Sequence, residues 1–226
     1  MRRSILVVVA IATAAALAWT LVGPDGALSR SGPRFDGPMP ACHRDDDLTP
    51  LRSPGDWRRT LLDPSLTLAP TDAPADLVDV SASGIAGRGK VRRLVIDDLG
   101  AMDRAARRDG VTLSISSAYR SYDAQVATFD SLERAYGIDY AEASAARPGH
   151  SEHQLGTAID VDGGDGWLAV HGWRYGFVVS YPAEWSPGLT CYKPEPWHLR
   201  YLGRDAAAAV HASGMSLREW LWDQQD

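Results

Sequence analysis

Cysteine is almost absent. Cys42 and Cys191 are the only two in 226 residues, too few for the dense disulfide framework that holds small secreted domains together. Basic residues are in deficit: 23 Lys and Arg stand against 29 Asp and Glu, a formal net charge of −6, which gives a nucleic-acid partner no electrostatic support. Glycine and proline, at 21 and 14, stay below the levels of collagen-like or low-complexity chains, and a hydrophobic fraction of 45% belongs to a chain that can bury a core. Beyond residue 22 there is no second long apolar run to return the chain through a bilayer.

What is present at the N-terminus is a basic pair, Arg2 and Arg3, followed by an uncharged apolar run from Ile5 to Val22. That order is the pattern of a secretory signal, and Ala16-Leu-Ala18 offers a small-residue cleavage site. The run is also about long enough to span a bilayer. Residues 1–22 are therefore expected to be a signal peptide or an N-terminal membrane anchor, the only membrane link, with the remainder outside the cytoplasm, secreted or held at the cell envelope. In an oxidising compartment Cys42 and Cys191 are expected to form a disulfide. Residues 23–56, rich in Pro, Gly, Ser and Asp with the acidic triplet Asp45-Asp-Asp47, read as a linker or N-terminal arm, leaving 57–226 as the domain.

Within that domain, apolar residues at Val91, Leu94, Val95, Leu99, Met102 and Ala106 predict a helix over 91–108. Thr112 to Ser116 alternates as a short strand, and Tyr122 to Tyr136 reads as a second helix ending at Gly137. Thr157 to Asp162 alternates again, with Ile159 and Val161 on one face and Asp160 on the other. Strands are also expected at 177–181 and 197–201, and Ser216-Leu-Arg-Glu219 is a capping box opening a C-terminal helix. Helices and strands do not alternate regularly, so the fold class is α+β. Two motifs mislead. Gly84 to Lys90 matches most of a phosphate-binding loop, but Val91 stands where that loop needs a hydroxyl, so the stretch reads as a flexible turn. Asp160 to Gly166 resembles a calcium loop, but its acidic spacing fails and His171 occupies the place of the closing glutamate.

Three segments carry chemistry: Ser117-Ala-Tyr-Arg120-Ser-Tyr-Asp-Ala-Gln125, Gly149-His-Ser151-Glu-His153-Gln-Leu-Gly156-Thr-Ala-Ile-Asp160, and Glu195-Pro-Trp197-His198-Leu-Arg-Tyr201. Two histidines and an aspartate, with a non-ligating glutamate near one of them, are the components of a catalytic zinc site, in which imidazole and carboxylate fill three positions and water the fourth. On composition alone His150 competes with His153. The spacing Ser-x-His-x6-Asp with Glu-Pro-Trp-His downstream resembles the signature of VanY-type D-alanyl-D-alanine carboxypeptidases, a zinc peptidase group that includes D-Ala-D-Ala dipeptidases and shares its fold with the hedgehog signalling domain. The resemblance covers roughly Leu61 to Gly203. It implies a small single domain with an antiparallel sheet and flanking helices, and one zinc ion held by His153, Asp160 and His198. It further implies Glu195 as catalytic acid/base, Arg120 as the anchor of the substrate's terminal carboxylate, and Gln125 and Ser151 as substrate contacts, with His150 left as cleft lining. The implied substrate is the peptidoglycan stem peptide, losing its terminal D-alanine. L,D-carboxypeptidase, dipeptidase, endopeptidase and a non-catalytic cell-wall-binding zinc module are the competing readings. Trp167, Trp173 and Trp185 are candidates for lining the cleft, with core packing the commoner fate of large aromatics.

Overall fold

The structure, a computed structural model, describes residues 39, 41–42, 56–184 and 187–224. The signal or anchor expected at 1–22 and most of the arm expected at 23–56 lie outside them. Strand β1 (Leu77–Asp79), the two-residue β2 (Ala86–Gly87) and β3 (Lys90–Arg92) lead into helix α1 (Ile96–Arg108), strand β4 (Ser114–Ser117) and helices α2 (Tyr122–Tyr136) and α3 (Ile138–Ser144). Strand β5 (Ala158–Asp162), α4 (Asp165–His171), β6 (Phe177–Tyr181), α5 (Pro187–Thr190), β7 (Glu195–Tyr201), α6 (Arg204–Ser213) and α7 (Leu217–Asp223) complete the order. The main sheet runs β2-β4-β5-β7-β6, and β1 pairs with β3 in a separate ribbon. From β4 to β6 the main sheet is antiparallel, as expected; only the short edge strand β2 runs parallel to its neighbour, β4.

One face of this sheet is sealed by α1. Leu99, Met102 and Ala106 on the helix meet Ile115, Ile159, Val161 and Leu199 from the central strands, all at most 1% exposed. A second apolar cluster joins Leu61, Leu66 and Leu202 to Val210 from α6 and to Leu217, Trp220 and Leu221 from α7. α1 carries Asp97 and Asp98 in its first turn and Arg107 and Arg108 in its last, the arrangement its dipole favours. Ser121 caps α2, and α7 has the full capping box of Ser216 and Glu219.

Two sequence expectations change. The helix begins at Ile96, because Val91 and Arg92 find ladder partners in Val78 and Leu77 and a 3-10 turn, Arg93–Val95, makes the transition. The glycine-rich stretch is no flexible turn. A Cβ on Gly87 would lie 2.2 Å from the Ile115 carbonyl oxygen, and one on Gly89 2.7 Å from the Ala118 Cβ. These glycines let the edge backbone approach β4 closely; they form no phosphate cradle.

Candidate active site

Strand register builds the site. Ile159 pairs with Leu199 and Asp160 with His198, so the alternation that buries the aliphatic pair turns the polar pair to the opposite face. A bulge between Ile115 and Ser117 sets Ser117 against Asp160, and the chain leaves β4 toward Arg120. An irregularity between β6 and β7, where Pro196 interrupts the ladder, places Glu195 opposite Tyr181. His153 arrives from a 3-10 turn, Glu152–Leu155, whose N-cap Ser151 accepts from the His153 backbone N–H.

His153, Asp160 and His198 each bring one ligand atom to a cluster in which these atoms lie within 4.8 Å of one another. His153 Nδ1 is 2.7 Å from the Ala118 carbonyl oxygen. A carbonyl only accepts, so Nδ1 carries the proton and Nε2 faces Asp160 Oδ2 at 3.3 Å. His198 enters the other way round, with Nδ1 3.0 Å from Asp160 Oδ1 and Nε2 3.1 Å from Glu152 Oε2. Two imidazole nitrogens and a carboxylate oxygen, all converging, make a donor set suited to zinc. Burial would raise the Asp160 carboxyl, but hydrogen bonds and charge from both histidines outweigh it and hold the group well below the ordinary carboxylate range. Burial lowers His153. His198 shows the reverse balance, since Asp160 and Glu152 overcome burial and carry it to about 10.

The remaining groups surround a cleft of about 200 Å³ lined by Arg120, Gln125, Ser151, Tyr181, Glu195 and Trp197 together with the three cluster residues. Burial raises the Glu195 carboxyl, and its Oε2 stands 3.9 Å from His198 Nδ1. Arg120 donates to Ser117 Oγ and to Gln125 Oε1, both at 3.0 Å, and its Nη2 lies 4.0 Å from Asp160. Gln125 is 1% exposed and donates to the Ala146 carbonyl at 2.6 Å, so its amide is engaged with the protein on both sides.

Some expected positions lie elsewhere. His150 does not line this cleft: its Nδ1 is 2.8 Å from the Asp63 carbonyl oxygen, beside a separate small cavity. Trp167 bonds Asp109 and packs on the α1 side of the sheet, while Trp173 stacks on His211. Trp185 lies outside the described residues. Among the described residues, Trp197, 43% exposed, is the tryptophan that lines the cleft. Cys42 and Cys191 form a disulfide four residues before Glu195.

One participant escaped the sequence reading. Glu152, 5% exposed, meets His198 through Oε2 and Arg200 through Oε1, at 3.1 and 2.9 Å. Burial would raise its carboxyl, yet Arg200, His198 and Ser180 bring it down to about 2. Its position between Ser151 and His153 was visible; Arg200, 48 residues later, was the missing half.

The chain is also similar to known proteins. The model of the family described as VanY, D-alanyl-D-alanine carboxypeptidase, matches residues 88–204, starting within the span expected from the motifs and ending one residue beyond it. A D-alanyl-D-alanine carboxypeptidase of Enterococcus faecalis is 37% identical over 136 residues, 52% of this chain and 50% of its own. The chain spans about half the length of the curated relatives it matches. Among solved structures, the LdcB LD-carboxypeptidase superposes with a TM-score of 0.65 at 30% identity, over 71% of this chain and 83% of its own. A zinc-bound variant of the VanY D,D-pentapeptidase of a VanB-type vancomycin-resistance cassette also gives 0.65, at 28% identity, covering 74% and 99%. The match takes in more than half the chain and contains the whole His153–Asp160–His198 cluster with Glu195 and Arg120, and on that basis the chain belongs to the VanY D-alanyl-D-alanine carboxypeptidase family.

Proposed function

We propose that this protein is a zinc-dependent carboxypeptidase that removes the C-terminal D-alanine from peptidoglycan stem peptides, with His153, Asp160 and His198 holding one metal ion. The observation that carries the reading is that Glu195 and Arg120 flank this donor set within one cleft. Zinc in such a set lowers the pKa of water toward neutrality and polarises a carbonyl. Glu195 has the position and the raised proton affinity to take the proton of the attacking water and hand it to the leaving amine. Arg120, fastened by Ser117 and Gln125, presents its planar fork to the cleft, where it matches a terminal carboxylate. That requirement confines cleavage to the chain end. Gln125 acts through Arg120 by fixing its angle, and Ser151 borders the substrate from the capped turn below. The zinc domain spans residues 57–226, behind the N-terminal signal or anchor, and works outside the cytoplasm, where the Cys42–Cys191 bridge is stable.

A second reading, L,D-carboxypeptidase, is favoured by the equal TM-score of the LdcB structure. Mass spectrometry of purified stem peptides separates the two. Loss of one alanine from the pentapeptide supports the D,D reading, loss from a tetrapeptide the L,D one, and loss of two alanines together a dipeptidase. No product from any stem peptide with zinc-loaded protein overturns the proposal. Glu195→Gln should lower turnover by roughly 10²–10⁴-fold while zinc content stays near one per chain; lost zinc would put Glu195 among the ligands instead.

A further inference from the structure

We propose that Glu152 is a positioning residue of the metal site: it takes the proton-bearing Nε2 of His198, leaves Nδ1 as the ligand atom, and is itself held by Arg200, which the backbone carbonyls of segment 57–60 anchor. The inference rests on the reading of His198 as a ligand. A carboxylate ion can only accept hydrogen bonds, so in the metal-free protein both ring nitrogens of His198, Nε2 at 3.1 Å from Glu152 and Nδ1 at 3.0 Å from Asp160, carry a hydrogen. A metal ion held by Asp160 would displace the hydrogen on Nδ1, the nitrogen on that side, and leave the one on Nε2 with Glu152. His153 obtains the opposite tautomer from the Ala118 carbonyl. The two rings thus present different nitrogens to one point, each fixed by an acceptor behind it, the usual support for a metal-ligating histidine.

For this to work Glu152 must stay ionised and stay in place, although it is 5% exposed. Arg200 does both. It is 0% exposed, donates through Nη1 to Glu152 Oε1 at 2.9 Å, and through Nη2 to the carbonyls of Trp57, Arg58 and Thr60 at 2.9, 3.3 and 3.0 Å. His198 and Arg200 are two apart on β7 and so point to the same face. Arg200 stands opposite Ala158, whose small side chain leaves the guanidinium space. Ser180 from β6 closes the network by donating to Oε2 at 2.7 Å. The carbonyls that anchor Arg200 precede the family-matched region, residues 88–204, so the chain outside that region completes the support of a residue inside it.

The test is zinc affinity of the folded, metal-free full chain, measured by competition with a chromophoric chelator. In Glu152→Gln the amide oxygen stays with Arg200, the amide N–H turns on His198 Nε2, and the imidazole proton moves to Nδ1, onto the ligand position. Affinity should fall about 10–100-fold. Equal affinity in variant and wild type overturns the positioning role and leaves the metal reading intact; wild type that takes up no zinc overturns both. If the variant does not fold, histidine ¹⁵N NMR of the zinc-loaded wild type decides. His198 should show a metal-bound Nδ1 and a slowly exchanging Nε2–H, an outcome a purely structural ion pair does not require. Coordination through Nε2, or a rapidly exchanging Nε2–H, refutes the proposal.

Discussion

Replacing Arg200 by Met tests how much of the fold hangs on the buried pair beneath the metal site. Arg200 is fully buried and joins Glu152 to three backbone carbonyls. Removing one partner of a buried ion pair costs about 3–5 kcal/mol, because the other charge stays desolvated. Ser180 and His198 still contact Glu152, which favours the lower half of that range. The Thr60 carbonyl, on a residue 5% exposed, adds about 1 kcal/mol as an unsatisfied acceptor, whereas Arg58, which is exposed, can turn its carbonyl to water. The metal-free protein should therefore lose about 4–5 kcal/mol of the roughly 5–15 kcal/mol typical of a domain. With a urea m-value of about 2 kcal/mol/M, the midpoint should fall by roughly 2 M. The double variant Arg200→Met, Glu152→Met exchanges the pair for apolar groups of similar length and should be more stable than Arg200→Met alone. A midpoint within about 0.3 M of wild type in Arg200→Met, or a double variant whose loss equals the sum of the singles, would refute the reasoning.

Arg120→Ala should reduce kcat/KM by roughly 10–100-fold on stem peptides with a free C-terminal carboxylate, the worth of a charge-assisted pair, with little further effect on amidated ones; equal losses on both would remove Arg120 from carboxylate recognition. Gln125→Ala should reproduce this pattern at reduced size, and a loss confined to amidated peptides would show that it does not act through Arg120. The disulfide spans 149 residues of sequence, for which the chain-entropy model gives about 5 kcal/mol. Cys42→Ser with Cys191→Ser should thus lower Tm by roughly 10–20 °C, and identical melting of oxidised protein and variant would contradict this. For pH, His198 in the metal-free protein has its pKa raised to about 10, Asp160 and Glu152 outweighing burial, against an unfolded value of about 6.5. The stability this adds is complete below pH 6.5 and is lost as pH rises through 10, so the urea midpoint should decline across that window, and His198→Gln should flatten the decline. A flat wild-type profile would sink this assignment.

The parts of the site that were legible in the sequence are those encoded locally. Asp160 alternates with Ile159 and Val161, so its face followed from the two-residue period, and β6 and α2 occupy 177–181 and 122–136 as expected, the latter bounded by Ser121 and Gly137. What failed to show depended on distant partners. Val91 fits a helical stripe, and only the presence of β1 makes it a strand residue. The Gly87 and Gly89 spacing looked like a nucleotide loop because the strand they press against begins 27 residues after Gly87. Trp167 and Trp173 carry no sequence mark to separate them from Trp197, yet only Trp197 follows the bulged start of β7 into the cleft.

Depth, more than residue type, divides the work among the charged groups. Arg200 and Arg120 are the same side chain, but the first is 0% exposed with both terminal nitrogens engaged by protein, while the second, 24% exposed, holds its fork at the cleft wall. Glu152 and Glu195 part in the same way. Glu152 sits against Arg200 and is driven to about 2, fit to accept a hydrogen bond permanently and unfit to exchange protons near neutrality. Glu195 is 23% exposed, and among the described residues its ion-pair partner within 4.0 Å is His198 at 3.9 Å, so burial prevails and its proton affinity rises. A group that must gain and lose a proton in each turnover needs the second environment, and one that must fix a tautomer needs the first. Exchanging the two surroundings, for example by giving Glu195 an arginine neighbour through Trp197→Arg, should therefore suppress hydrolysis while zinc content remains near one per chain; full activity in that variant would show that the elevated proton affinity of Glu195 is not what the reaction uses.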